Sequence, residues 1–245
     1  MYTEAVRVAV ANNFNCTTKE WKQLKLFSQM FPDKAFFINS NINTSKLPTA
    51  IKYPYKIVVT ANPDLTPPPD ALARLKQLKP NLAFVRVKFL PNNKPIMDLI
   101  KNLIANKFTV VITNQRFNSK ATLLKFTDPK YYTFSCSRFR LSNTELNKLV
   151  NLTARHPKQL FICDQAGTGC QGCGLCSKLT TNQELPITSL NLSSSGICPF
   201  NCPDCYAKRM QAFSISTGHT PITFDLIKQN SKQAGKLEHI KRNLK

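Results

Sequence analysis

Short apolar runs alternate with amphipathic stretches along most of this chain. Ile57-Val58-Val59-Thr60, Phe84 to Leu90, Phe108 to Thr113, Tyr131 to Ser135 and Leu160 to Cys163 are brief and rich in β-branched or aromatic residues, the composition of strands. Helical patterns lie between them. Leu72, Leu75 and Leu78 share a face behind Pro67-Pro68-Pro69-Asp70, and Ile96, Leu99, Ile100, Leu103 and Ile104 recur at i, i+3, i+4, i+7 and i+8 behind Pro95. Ser142 and Glu145 form a capping box ahead of Leu146, Leu149, Val150 and Leu152, because a serine hydroxyl and a glutamate three residues on satisfy each other's exposed amides. Upstream, Val6 to Asn12 reads as a strand. Thr17 and Glu20 cap a helix that buries Trp21, Leu24, Phe27 or Ser28, and Phe31, and Pro32 stops it. Residues 38–54 are polar with scattered apolar positions and read as a connection, as does 114–130.

Strands separated by helices of this length predict a parallel sheet, and fully apolar strands predict one covered on both faces. The expected fold is therefore α/β: an open or partial barrel-like parallel sheet with a C-terminal cysteine-rich metal-binding module. The expected divisions are a strand–helix extension over 1–54, the parallel domain over 55–162, the cysteine module over 163–220 and a basic tail over 221–245. Sites in such sheets collect at the carboxyl ends of the strands. That places Asn62, Lys88, Asn114 and Arg116 on one rim with Cys163.

The cysteines change the picture most. Seven of the nine fall between Cys163 and Cys205, as Cys163, Cys170, Cys173, Cys176 and then Cys198, Cys202, Cys205. Cysteines separated by two residues present their sulfurs on one turn, where they can hold one ion at about 2.3 Å. The opening Met1-Tyr2-Thr3-Glu4 has no basic segment followed by an apolar run, so the expected compartment is the reducing cytoplasm, where clustered thiols mean metal rather than disulfides. Cys16 and Cys136 read as small buried hydrophobes.

Three ligand assignments are open. In the first, Cys170, Cys173, Cys202 and Cys205 form a zinc ribbon, and Cys163, Cys176, Cys198 and His219 hold a second zinc. In the second, Cys163, Cys170, Cys173 and Cys176 hold one ion or cluster, while Cys198, Cys202 and Cys205 hold a 4Fe–4S cluster with one iron left open. In the third, Cys170, Cys173 and Cys176 are a ferredoxin-like run completed by Cys198, which precedes Pro199.

Charge and glycine content narrow the function. Thirty-four basic residues oppose thirteen acidic ones, a net charge of +21, and such a field attracts polyanions. RNA or DNA is the expected partner. Candidate contacts are Arg116, Lys120, Lys125, Lys130, Arg138 and Arg140, interleaved with Phe117, Phe126, Tyr131, Tyr132 and Phe139, together with Lys208 and Arg209 beside the metal module and Lys241 and Arg242 in the tail. The competing reading of the aromatic positions is a core strand with ordinary basic loops. A host protein or ribosome is a further candidate partner. No membrane is expected, since no run of 18 apolar residues occurs. All seven glycines lie at or after Gly167, which removes Walker and dinucleotide loops from the main domain. The three histidines are unpaired and the carboxylates dispersed, so a two-metal nuclease has no ligands.

Cys198-Pro-Phe-Asn-Cys202-Pro-Asp-Cys205-Tyr206 is similar to the C-x3-C-x2-C signature of radical SAM enzymes. With the parallel strands before it, Phe84-Val85-Arg86-Val87 among them, and the Cys202 to Ala207 run, the chain resembles a group of phage-encoded, radical-SAM-like proteins over residues 55–210. The resemblance implies a partial barrel, a 4Fe–4S cluster on Cys198, Cys202 and Cys205, SAM as cofactor, and the host cytoplasm as location. In that family the motif follows the first barrel strand, whereas here it follows the last one legible in the sequence. A circularly rearranged barrel would reconcile the two. Position 204 is aspartate where an aromatic residue is usual, and no Gly-Gly-Glu segment occurs.

Overall fold

The computed structural model describes residues 2, 4–8, 18–43, 55–63, 66–135, 138–163, 174–185 and 187–190. Its main sheet has seven strands: β1 Glu4–Val8, β2 Lys34–Asn41, β3 Lys56–Ala61, β4 Leu82–Phe89, β5 Val110–Asn114, β8 Leu160–Ile162 and β9 Ile187–Leu190. Their order is β8-β5-β4-β3-β2-β1-β9, and every neighbouring pair is parallel. An α/β fold with an open, all-parallel sheet is therefore present. Among the described residues no helix is long and apolar enough to cross a membrane.

From β1 to β5, and on to β8, each strand is laid beside the one before it in the same direction. Crossovers between parallel strands are right-handed, so a sheet wound one way carries all its connecting helices on one face. These are α1 Thr18–Met30, α2 Ala71–Leu78, α3 Lys94–Ala105, α4 Lys120–Leu124 and α5 Asn143–Arg155. Their buried residues, including Leu24, Phe27, Leu75, Leu78, Ile100, Leu103, Leu123 and Leu149, pack on Val6, Ile38, Val59, Val85, Val87, Ile112 and Ile162 of the sheet. Alternate strand positions point the other way. Ala5, Phe37, Val58, Phe84 and Val111 form a second, smaller core with Cys163, Cys176 and Ile187. Its cover is α6 Leu175–Thr181, which the chain lays down after β8.

The helix signals hold. Ser142 accepts the Glu145 amide at 3.4 Å, Asn93 caps α3 with Pro95 in its first turn, and Asp70 is the N-cap residue of α2, although its side chain makes no capping bond. Trp21 packs against the first core. Thr17 lies outside the described residues, as do residues 9–12 of the expected first strand.

Three expectations about strands change. Residues 34–41, half of them assigned to a connection, are β2, and through its pairing with β3 the sheet runs continuously from 1–54 into 55–162. The polar Asn39-Ser40-Asn41 end of β2 lacks the apolar signature, yet Ser40 and Asn41 are each 1% exposed. The run Tyr131 to Ser135 is not a member of the parallel series. Tyr132–Ser135 is β6, which pairs antiparallel with β7 Arg138–Leu141 in a separate hairpin. Its root pair, Tyr132 and Leu141, is buried, and the residues beyond are increasingly exposed. Finally β9 is a seventh strand that the sequence pattern did not mark.

Leu103 is fully buried against the sheet while Val150 on α5 is 40% exposed. Leu103→Ala should therefore cost roughly 2–5 kcal/mol of stability, and Val150→Ala within about 0.5 kcal/mol of nothing. Urea unfolding of both variants measures this, and equal losses would contradict the placement of the core.

Candidate metal centre

Cys163 follows β8 directly. Its amide donates to the Ile112 carbonyl at 2.8 Å, so the ladder between β5 and β8 holds the residue at the carboxyl rim, and its side chain is buried. Cys176 is the second residue of α6. The helix starts from Gly174 at φ +60°, a left-handed conformation that favours glycine. Ser177, 0% exposed, fixes the helix from its other side. Its hydroxyl donates to the Gly174 carbonyl at 2.7 Å and accepts the Leu185 amide at 3.0 Å. The helix is thus tied to the segment that leads into β9, and it seats Cys176 over the second sheet face.

Cys163 and Cys176 meet there as free thiols joined by a hydrogen bond. Arg86, from the middle of β4, reaches the same point. It donates from Nη2 to Cys176 Sγ at 3.4 Å and from Nη1 to Asn39 Oδ1 at 3.0 Å. Its guanidinium lies 5.6 Å from the centre of the Phe84 ring. Thr60 donates to Asn39 Oδ1 at 3.4 Å, completing a small polar arc across β2, β3 and β4. Arg86 is only 9% exposed, and a buried cation needs compensation. An anionic sulfur, an amide oxygen and a ring face supply it.

The same arrangement ionises the thiol. The hydrogen bond with Cys163 acts most strongly and burial opposes it; the charge and hydrogen bond of Arg86, then the charge of Arg7, lower the Cys176 pKa from 9.0 to about 5. Thiolates rather than thiols bind metals. Two converging cysteines, one held as a thiolate, fit a thiolate-ligated ion or cluster. Among the described residues no third cysteine, histidine or carboxylate joins them. Cys170, Cys173, Cys198, Cys202, Cys205 and His219 lie outside the described residues.

The expected rim residues Asn62, Lys88, Asn114 and Arg116 are half-buried at the carboxyl ends of their strands or just beyond. The side chains that act on Cys176 are instead Cys163, Arg86 and Arg7. Asn39, Thr60 and Arg86 do the work at the centre. The sequence did carry a signal for Arg86: a lone charge inside the apolar run Phe84 to Val87. It carried none for Asn39 and Thr60, whose strand was unrecognised in one case and whose polarity is ordinary in the other.

Of the expected polyanion contacts, Lys120, Lys125, Lys130 and Arg138 are exposed and Arg116 and Arg140 half-buried. Lys130 pairs with Asp128 at 3.0 Å. Lys208, Arg209, Lys241 and Arg242 lie outside the described residues. Phe117 and Tyr132 belong to the core, with their rings edge-on at 5.3 Å and Phe126 stacked 5.7 Å from Phe117. For these rings the core reading applies, not the stacking one. Comparison with protein-family models, with curated proteins and with solved structures gives no match.

Folding favours the Cys176 thiolate, because its folded pKa lies below the unfolded one. Metal-free, reduced protein should therefore be most stabilised by this group above pH 9.0 and lose that contribution as pH falls to about 5. Arg86→Met should make the dependence shallower. Denaturant midpoints across this range test it, and identical slopes for wild type and variant would contradict the role of Arg86.

Proposed function

We propose that this chain is a radical-SAM-like iron–sulfur enzyme built on a circularly rearranged partial barrel. The observation that carries the reading is the position of β9. It pairs parallel with β1, Ala5 opposite Ile187 through Val8 opposite Leu190, at the edge where a one-way sheet would begin. Read across the sheet, the order is β9, β1, β2, β3, β4, β5, β8. Cys198 comes eight residues after Leu190, so in sequence the C-x3-C-x2-C segment comes after the last described strand, which stands first across the sheet. A circular rearrangement of this kind would give the order typical of the family. Because the sheet is all-parallel, β9 ends at the same rim at which Cys163 leaves β8.

This reading favours the second ligand assignment. Cys163 and Cys176 serve one group with Cys170 and Cys173, and Cys198, Cys202 and Cys205 serve a cluster of their own. Such a cluster, with one iron unligated by protein, supplies an electron to a bound sulfonium cofactor. On the protein's side, Arg86 balances the thiolate charge of Cys176, and α6 with its neighbouring leucines keeps water from that face of the sheet.

Nucleic-acid contact is a second reading, favoured by the exposed Lys120, Lys125, Lys130 and Arg138 beside one another in sequence and opposed by Asp128 alone within 115–140. It is compatible with the first, since a polyanion bound at this rim would be a substrate or its carrier.

Protein purified without oxygen should be brown and contain iron and acid-labile sulfide. Cys202→Ser should remove about four irons per chain, the content of one 4Fe–4S cluster, and Cys163→Ser should leave that cluster in place. Colourless protein holding only zinc would overturn the enzyme reading and return the chain to the zinc-ribbon assignment.

A further inference from the structure

We infer that the β6–β7 hairpin is a platform for single-stranded nucleic acid, on which Phe134 stacks against a base while Arg138 and Arg140 contact phosphates. The inference rests on the nucleic-acid reading above and names the element and the form of nucleic acid.

Alternation along the hairpin gives it two different faces. Tyr132, Phe134, Phe139 and Leu141 share one, as the cross-strand pairs Tyr132–Leu141 and Phe134–Phe139. Thr133, Ser135, Arg138 and Arg140 share the other, as the pairs Thr133–Arg140 and Ser135–Arg138. The root pair is buried in the main core, whereas Phe134 is 60% exposed. Its ring meets Phe139 at 5.0 Å with a tilt of 54°, which supports it from one side and leaves the rest to solvent. Arg140 Nε is buried with no hydrogen-bond partner, and the opposing strand position, Thr133, offers no charge.

The hairpin is held firmly enough to present this ring. Phe117 and Phe139 exchange backbone bonds of 2.7 and 3.1 Å. The segment stands at the carboxyl end of the sheet: the Gln115 amide reaches the Phe89 carbonyl at 3.2 Å, Thr127 donates to the Pro91 carbonyl at 3.4 Å, and Asn92 donates to the Tyr131 hydroxyl. This is the rim that carries Cys163. Exposed rings gain by stacking on bases, and paired duplex hides base faces, so an exposed ring on a narrow hairpin whose opposite face carries two arginines selects a single strand that wraps the hairpin. The net charge of +21 supplies the long-range attraction.

The test measures binding of fluorescent single-stranded DNA and RNA oligonucleotides, and of the matching duplex, over a series of salt concentrations. Wild type should bind the single strands with affinity that falls steeply with salt. Phe134→Ala should weaken single-strand binding about five- to a hundredfold, with the salt slope unchanged and duplex binding unaltered. Phe134→Trp should restore it. Arg138→Gln should instead lower the salt slope by roughly 0.7. Wild-type binding that survives Phe134→Ala would overturn the platform and leave the nucleic-acid reading intact. A wild-type protein that binds no nucleic acid would overturn both, and a loss in Phe134→Ala that Phe134→Trp fails to rescue would mark the ring as structural.

Discussion

The one-way winding of the main sheet governs everything else in this chain. With crossovers of a single hand, five helices are committed to one face, and the opposite face is left with apolar side chains that no crossover can cover. The chain supplies that cover after β8, with α6 and then β9. The segments that close the second face are also those that carry Cys163 and Cys176 and lead toward Cys198. Covering the second face and bringing Cys163 beside Cys176 are thus linked, and both sulfurs belong to the second core.

Arg86 connects the sheet to that centre. An arginine in the middle of a buried parallel strand is costly to desolvate, and here the cost is offset by a thiolate, an amide and an aromatic ring. The benefit is electrostatic. The Cys176 thiolate concentrates negative charge in a poorly solvated place, and a fixed guanidinium counters it. The same cation would favour an anionic cluster over a site of neutral ligands.

Much of this was legible in the sequence, and the failures have physical causes. The helices α2, α3 and α5 were readable because their apolar residues keep strict helical spacing and proline or serine marks their starts. The strands β3, β4, β5 and β8 were readable because they are apolar on both sides. β2 was hidden by Asn39, Ser40 and Asn41, and Asn39 is the residue that accepts from Arg86, so a buried polar contact replaces the apolar signal there. The hairpin reads as a parallel strand in the sequence because Tyr131 to Ser135 is apolar at its start and neither Cys136 nor Ser137, the two residues before β7, is glycine or proline. β9 was missed because Ile187-Thr188-Ser189-Leu190 is short and half polar; only its docking against β1 identifies it. Cys163 and Cys176, thirteen positions apart, are among the seven cysteines the sequence marks as metal ligands, whereas the arginine beside them comes from a strand ninety residues upstream of Cys176.

The central claim is spatial: the cysteines of the carboxyl third converge on metal at the mouth of the sheet. An anomalous-difference map at the iron edge, from crystals grown without oxygen, tests it most directly. The account predicts peaks bonded to the sulfurs of Cys163 and Cys176 within reach of Arg86, with a second peak beyond the end of β9. A cystine between Cys163 and Cys176, with no anomalous density beside them, would contradict it.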